Sequence, residues 1–238
     1  MMKFVPPTAL PHWRESLALV ERHLSFTRRI VHAGDAVQVA GDPFTCLHII
    51  KLGSVKAVTL AANGREQLAG VYLKGDWIGF DSIATGTCPS DAYAMDTSEI
   101  WTLRYTALLQ TVAGVPELLA GLHIAMSGQL ARDREWRFAL GTLPADARVA
   151  DFVRTWAKSL NERDLRTDQI TLRLTRAEIG SYLGMTLETV SRSFSRLARV
   201  GLIRFEDKGR RHFNIPSVRA LIDFVELNAN AHEPCLMQ

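Results

Sequence analysis

The chain has 238 residues, room for one large domain or two modest ones, each with its own core. Hydrophobic content of 47% and charged content of 22% are ordinary for a globular protein, and the net charge of +3 announces no overall basic field. Cys46, Cys88 and Cys235 are sparse, odd in number and form no CxxC, which argues against a secreted disulfide framework; no apolar run reaches membrane-spanning length, and prolines follow Met1–Phe4 where a signal-peptide core would lie. A soluble, cytoplasmic protein without membrane partners is expected.

In chain order, residues 8–24 read as one amphipathic helix with Trp13, Leu17, Val20 and Leu24 on one face. From Arg29 to about Tyr105 the spacing shortens. Glycines at 34, 41, 53, 64, 70, 75 and 79 divide short runs such as Leu47–Ile50 and Val55–Val58, the mark of an antiparallel sandwich or barrel. Asn63-Gly64 is the clearest hairpin turn. Gly114-Val115-Pro116-Glu117 then opens a long helix, with proline at the favoured first position and an acid in the first turn. Leu119, Leu122, Met126, Leu130, Asp133, Arg137 and Leu140 repeat along it, and from Pro116 to Leu140 it would run roughly 37 Å at about 1.5 Å per residue. By periodicity alone that stripe is either core cover or a two-fold seam between copies.

Gly141–Pro144 breaks the helix and marks a hinge, and Ala145–Asn161 resumes with Val149, Phe152, Val153, Trp156 and Leu160 on its buried face. Two short helices follow. Thr175 and Glu178 form a capping box, Ile179 and Leu183 repeat behind it, and Gly184 allows a left-handed turn. Thr186 caps the second helix, in which Val190, Phe194 and Leu197 make the apolar stripe. Leu187, Glu188, Ser191, Arg192 and Ser195 fall on the opposite face. A carboxylate accepts from cytosine N4 and a guanidinium forks onto guanine O6 and N7, so Glu188 and Arg192 suit a probe into a DNA major groove. An ordinary helical hairpin with a surface Glu–Arg pair is the plainer alternative. Gly201 ends the second helix, 202–205 and 212–215 read as strands around a turn at 206–209, and a winged helix results. Ser217–Leu227 is a last short helix. Charge is uneven along the chain: residues 171–212 hold nine basic and four acidic side chains, leaving the remainder at −2. A DNA-binding module joined to a non-binding one has that asymmetry.

The run from Leu174 through Ile203 resembles the DNA-binding motif of the CRP/FNR family of bacterial transcription regulators, and Glu188-Thr189-Val190-Ser191-Arg192 resembles its FNR-type branch. Gly75–Asp81 resembles the family's sensory β-roll, so the likeness covers nearly the whole chain. It implies an α+β fold in three parts: a cyclic-nucleotide-binding-like antiparallel β-roll with its N-terminal helix (1–115), a dimerisation helix and hinge (116–141) and a winged helix-turn-helix (142–238). It implies a dimeric activator-type regulator on a palindromic TTGAT-N4-ATCAA-like promoter site, in contact with RNA polymerase. Base contacts are expected from Glu188, Ser191 and Arg192, and phosphate contacts from Arg176, Thr186, Thr189, Arg196, Lys208 and Arg210. Leu119, Leu122, Met126, Leu130 and Asp133 would line the seam, with Asp133 facing its own copy.

Within that resemblance, cyclic-nucleotide sensors place a glutamate after the roll glycine and an Arg-Ser pair further on. Here Phe80 follows Gly79, and Ser90-Asp91 stands where Arg-Ser is expected, so a cyclic phosphate would meet repulsion. Members carrying an iron–sulfur cluster use three N-terminal cysteines and one in the roll. No cysteine precedes Cys46, and Trp101 takes the fourth ligand's place, so neither cyclic AMP nor a cluster is expected. Haem on His32, His48 or His123, a thiol switch at Cys46 or Cys88, and control by abundance alone stay open. No catalytic motif appears and the histidines are scattered, so no enzyme is expected. The alternative is a ligand-binding or redox sensor, or an assembly protein whose winged helix grips protein.

Overall fold

Alternating apolar and polar side chains, punctuated by glycines, lay out the first part of the chain. The computed structural model describes residues 13–61, 64–167 and 169–230. Helix α1 (Trp13–His23) leads into β1 (Thr27–Val31), β2 (Ala36–Gln38), β3 (Cys46–Leu52), β4 (Ser54–Leu60), β5 (Glu66–Leu73) and β6 (Trp77–Ile78). A 3-10 turn at Phe80–Ser82 precedes β7 (Asp91–Ala94) and β8 (Ser98–Arg104), after which come α2 (Tyr105–Val112) and the long α3 (Pro116–Thr142). The strands form two four-stranded sheets, in the orders β1-β8-β3-β6 and β2-β7-β4-β5.

The strand period of two decides where each apolar side chain goes. In the β3–β8 register Ile49 lies opposite Trp101 and Ile50 opposite Ile100. Ile50 and Ile100 point between the sheets and join Val31, Val37, Val55, Ile78, Ala92 and Ala94. Ile49 and Trp101 point the other way, into a core closed by Leu17 and Val20 of α1, Leu108 of α2, and Leu118 and Leu122 of α3. Trp101 is 1% exposed and stacks on Phe26 with ring centroids 4.3 Å apart.

The remaining elements are α4 (Ala145–Asn161), β9 (Gln169–Thr171), α5 (Arg176–Leu183), α6 (Leu187–Arg199), β10 (Arg204–Phe205), β11 (His212–Asn214) and α7 (Val218–Asn230). The three short strands pair antiparallel in the order β10-β11-β9. Val149 and Val153 of α4, Ile179 of α5, Val190, Phe194 and Leu197 of α6, Phe213 of β11 and Leu221 of α7 are all buried in this winged-helix core. By its contacts the chain divides into two compact units, Met1–Val55 with Tyr72–Ala131, and Lys56–Val71 with Arg132–Gln238.

Several readings of the sequence change in detail. Gly70 divides nothing: it lies inside β5, without the positive φ of Gly64 or Gly75. Residues 8–12 of the expected first helix and Asn63 of the expected hairpin turn lie outside the described residues. Next to that turn, the Ala61 N–H donates to the Arg65 carbonyl at 2.9 Å and closes the β4–β5 hairpin. Helix α2 and strand β9 are additions. Among the described residues, no helix is long and apolar enough to cross a membrane.

Candidate nucleic-acid interface

The helix-turn-helix is assembled by local hydrogen bonds. The Thr175 hydroxyl accepts from the Glu178 N–H at 3.1 Å, and the Glu178 carboxylate accepts from the Thr175 N–H at 2.6 Å. Burial raises the Glu178 carboxyl, but hydrogen bonds from Lys56 and from the Thr175 backbone and hydroxyl outweigh it and hold the group below its ordinary value. Gly180 sits where the turn folds back onto α5. A Cβ there would meet the Met185 carbonyl at 2.6 Å, so any side chain would force the two helices apart. Gly184 closes α5 in the left-handed region at φ +62°. Thr186 then caps α6 by accepting from the Thr189 N–H at 3.2 Å.

Helix α6 has one face in the core and one in water. Val190, Ser193, Phe194 and Leu197 are buried, while Leu187, Glu188, Arg192, Arg196 and Arg199 are exposed. Glu188 lies in the first turn. Hydrogen bonds from its own backbone N–H and from the Thr186 side chain, with Arg192 adding attraction, hold its carboxyl below the usual carboxylate range. One turn on, Arg192 Nη2 donates to Thr189 Oγ1 at 3.4 Å. Ser191, Arg192 and Arg196 line an open groove of about 410 Å³, together with Asp146, Ser195 and Arg199.

The expected phosphate contacts differ in setting. Lys208 is exposed on the wing, and Thr186 and Thr189 share a hydroxyl contact of 3.1 Å at the start of α6. Arg210, with φ +53°, donates through Nη1 to Ser195 Oγ at 2.9 Å and so ties wing to helix. Arg176 is a brace rather than a free cation. Its guanidinium carbon lies 3.6 Å from the Phe194 ring centroid, and its Nη2 donates to the Arg210 carbonyl at 2.8 Å. Burial, with Arg210 nearby, lowers its pKa to about 10, so it stays charged at neutral pH. Arg196 Nη1 pairs with Asp146 Oδ2 at 2.8 Å. Ser195 was placed on the probe face from sequence, but Asp146 was not singled out as an interface partner. A carboxylate in the first turn of α4 signals only a favourable helix start.

The residues expected at the seam also divide. Leu119 is 37% and Leu130 65% exposed, and Asp133 is exposed too. Leu122, at 7% exposure, belongs to the roll core, and Met126 packs partly against it. Neither presents the free apolar surface that Leu130 does. Phe138, absent from the expected set, is 68% exposed.

A winged helix with a charged probe face, in a chain that also holds an antiparallel β-roll and a long helix, defines a DNA-binding transcription regulator. Comparison with known proteins places it more closely. Residues 147–224 match the Crp-like helix-turn-helix domain and residues 28–114 match the cyclic nucleotide-binding domain. The chain is 32% identical over 181 residues to the fumarate nitrate reduction regulatory protein of Klebsiella oxytoca, covering 76% of this chain and 72% of that one. It is 31% identical, with the same coverage, to the fumarate and nitrate reduction regulatory protein of Escherichia coli. Among solved structures the fold is like that of FixK2 from Bradyrhizobium japonicum, with a TM-score of 0.72 and 24% identity over 84% of this chain and 97% of that one. It is also like a CRP/FNR-family regulator from Thermus thermophilus, with a TM-score of 0.65 and 20% identity over 85% and 100%. The chain belongs to the CRP/FNR family of DNA-binding transcription regulators.

Proposed function

We propose that this protein acts in the cytoplasm as a homodimer that reads palindromic TTGAT-N4-ATCAA-like promoter sites and contacts RNA polymerase. The observation that carries this reading is the outward face of α6, where Glu188 and Arg192 stand one turn apart, both exposed. An ionised Glu188 accepts from cytosine N4, and Arg192, released from Thr189, donates to guanine O6 and N7. Ser191 is small enough to let the helix approach the base edges. Leu187, 47% exposed, has no donor for a guanine and offers a thymine methyl only apolar contact. Arg196, Lys208 and Arg210 flank the probe face and suit phosphates. Two such helices on a two-fold axis would meet half-sites roughly 34 Å apart.

The roll gives reasons to expect neither a cyclic nucleotide nor an iron–sulfur cluster. Asp91 puts a carboxylate where a cyclic phosphate would need a cation, and its Oδ1 accepts from the Ala40 N–H at 2.8 Å. Phe80 stacks on Trp77, ring centroids 5.6 Å apart. The donor set does not fit a cluster: Trp101 donates its Nε1–H to Glu99 at 2.8 Å, and Cys88 is buried, which raises its thiol pKa. Selection from random duplex DNA tests the site reading. TTGAT-type half-sites are expected for the unmodified protein, and Leu187→Arg should move preference toward TGTGA. TGTGA-type sites from the unmodified protein would overturn the assignment of roles on α6.

A further inference from the structure

The groove beside the probe helix holds three arginines and one carboxylate, and the carboxylate is the unexpected member. Asp146 stands in the first turn of α4, part-buried, with Oδ2 at 2.8 Å from Arg196 Nη1. Arg196 itself is 63% exposed in its side chain, on the outward face of α6 one turn beyond Arg192. A phosphate reaching Arg196 must therefore come close to a fixed negative charge that already occupies one edge of the guanidinium.

We propose that Asp146 is a positioning residue that restrains DNA affinity by holding Arg196 in an intramolecular ion pair, which a phosphate must share or displace. Three features carry this. The pair joins two helices of the same winged-helix core, so the buried stripe of Val190, Phe194 and Leu197 keeps the backbones of Asp146 and Arg196 within reach of each other. The acid is in the first turn of α4, beside the positive end of the helix dipole, where a carboxylate side chain is well placed. A phosphate contact at Arg196 is open to any duplex, whatever its sequence, so holding that guanidinium lowers binding to all of them alike. Base readout by Glu188 and Arg192 is left alone. The restraint acts on the phosphate contribution, which specific and random DNA share.

This inference rests on the reading of α6 as the DNA-contacting helix. The test uses the full chain in four forms: unmodified, Asp146→Asn, Arg196→Ala, and both substitutions together. Affinity for a TTGAT-N4-ATCAA duplex and for a random duplex is measured by fluorescence anisotropy across a salt series. Asp146→Asn should bind both duplexes tighter by about two- to fivefold near 100 mM salt, the scale of an exposed ion pair, with a steeper log–log salt slope. In the Arg196→Ala background the same substitution should change little, which an effect on α4 folding alone would not reproduce. Thermal unfolding of Asp146→Asn, with Asp146→Ala as a fifth form that removes the same charge, guards against a fold defect. Unchanged or weaker binding by Asp146→Asn, or a gain that persists without Arg196, overturns the restraint and leaves the DNA-binding reading intact. Failure of the unmodified protein to bind either duplex overturns both.

Discussion

In the proposed contact set Glu188 accepts and Arg192 donates at particular base atoms, whereas Arg196 and Lys208 meet phosphates by charge, and the two kinds of contact separate experimentally. Arg192→Ala should flatten preference at the guanine of the half-site at a cost of roughly 1–3 kcal/mol of discrimination, while Lys208→Ala should weaken all sequences alike and lower the salt slope by about one. Competition binding against single-base variants checks both. In the roll, His48 makes stability depend on acid. His48, part-buried on β3, shares a 3.0 Å contact with the Thr102 hydroxyl, and burial, helped by Arg29, lowers its pKa from 6.5 to about 4. Between those values the unfolded chain binds the proton and the folded chain does not, so acidification through that window lowers stability, by roughly 3 kcal/mol at most. The neutral ring carries no such penalty above about pH 6.5. Urea unfolding at pH 7.5 and pH 4.5 should show a loss that His48→Gln largely removes; an equal loss in the variant would refute the assignment.

Among the elements, α5 depends most visibly on its cap. Thr175→Ala should cost about 1 kcal/mol and Thr175→Ser far less, since the hydroxyl alone satisfies the Glu178 N–H. Glu178 has a folded pKa below its ordinary value. Its contribution to stability is therefore present above the normal carboxylate range and lost as pH falls through the lowered value. Denaturant unfolding at pH 7 and pH 3 should show Glu178→Gln costing more at pH 7. Elements built on such local chemistry were legible in the sequence: the capping box, the left-handed Gly184 and the apolar stripe of α6 each involve residues within a turn or two. Strand β9 was not, because Gln169-Ile170-Thr171 offers one apolar residue and forms only by pairing with β11, over 40 residues on. Helix α2 opens at Arg104 with no side-chain cap, so nothing in the sequence marks its start. The need for Gly180 is set by tertiary contact, since a Cβ there would lie 2.6 Å from the Met185 carbonyl, and its helical position in the sequence does not show it. Arg176 counted as one more cation of the interface, and only tertiary contact places it on Phe194.

For the whole molecule the proposed dimer turns on α3, and α3 shows why periodicity could not assign its faces. At about 100° per residue, Leu119, Met126 and Leu130 fall within about 20° of one line, Asp133 lies about 40° round from Leu119, and Leu122 lies about 60° round on the same side. That rotation is enough to turn Leu122 into the roll core while Leu119 and Leu130 stay exposed. The free stripe is therefore narrower than the sequence suggested. It has one exposed leucine per three turns and an exposed carboxylate, Asp133, at its edge. A two-fold seam built on so sparse an apolar stripe would be sensitive to charge. Two copies of Asp133 near the axis would repel, and desolvation on association would strengthen the repulsion. Asp133→Ala should tighten the dimer by about tenfold, the scale of one unit-charge repulsion at a partly wet interface, and Asp133→Asn should do nearly the same. Leu130→Glu, adding a second acid to the stripe, should push the protein to monomer and, through linkage, weaken binding to the palindrome more than to a single half-site. Raising salt should narrow the gap between unmodified protein and Asp133→Ala by screening the repulsion. Sedimentation equilibrium measures each dissociation constant directly. An Asp133→Ala dimer no tighter than the unmodified one would mean that the two carboxylates do not meet across the axis.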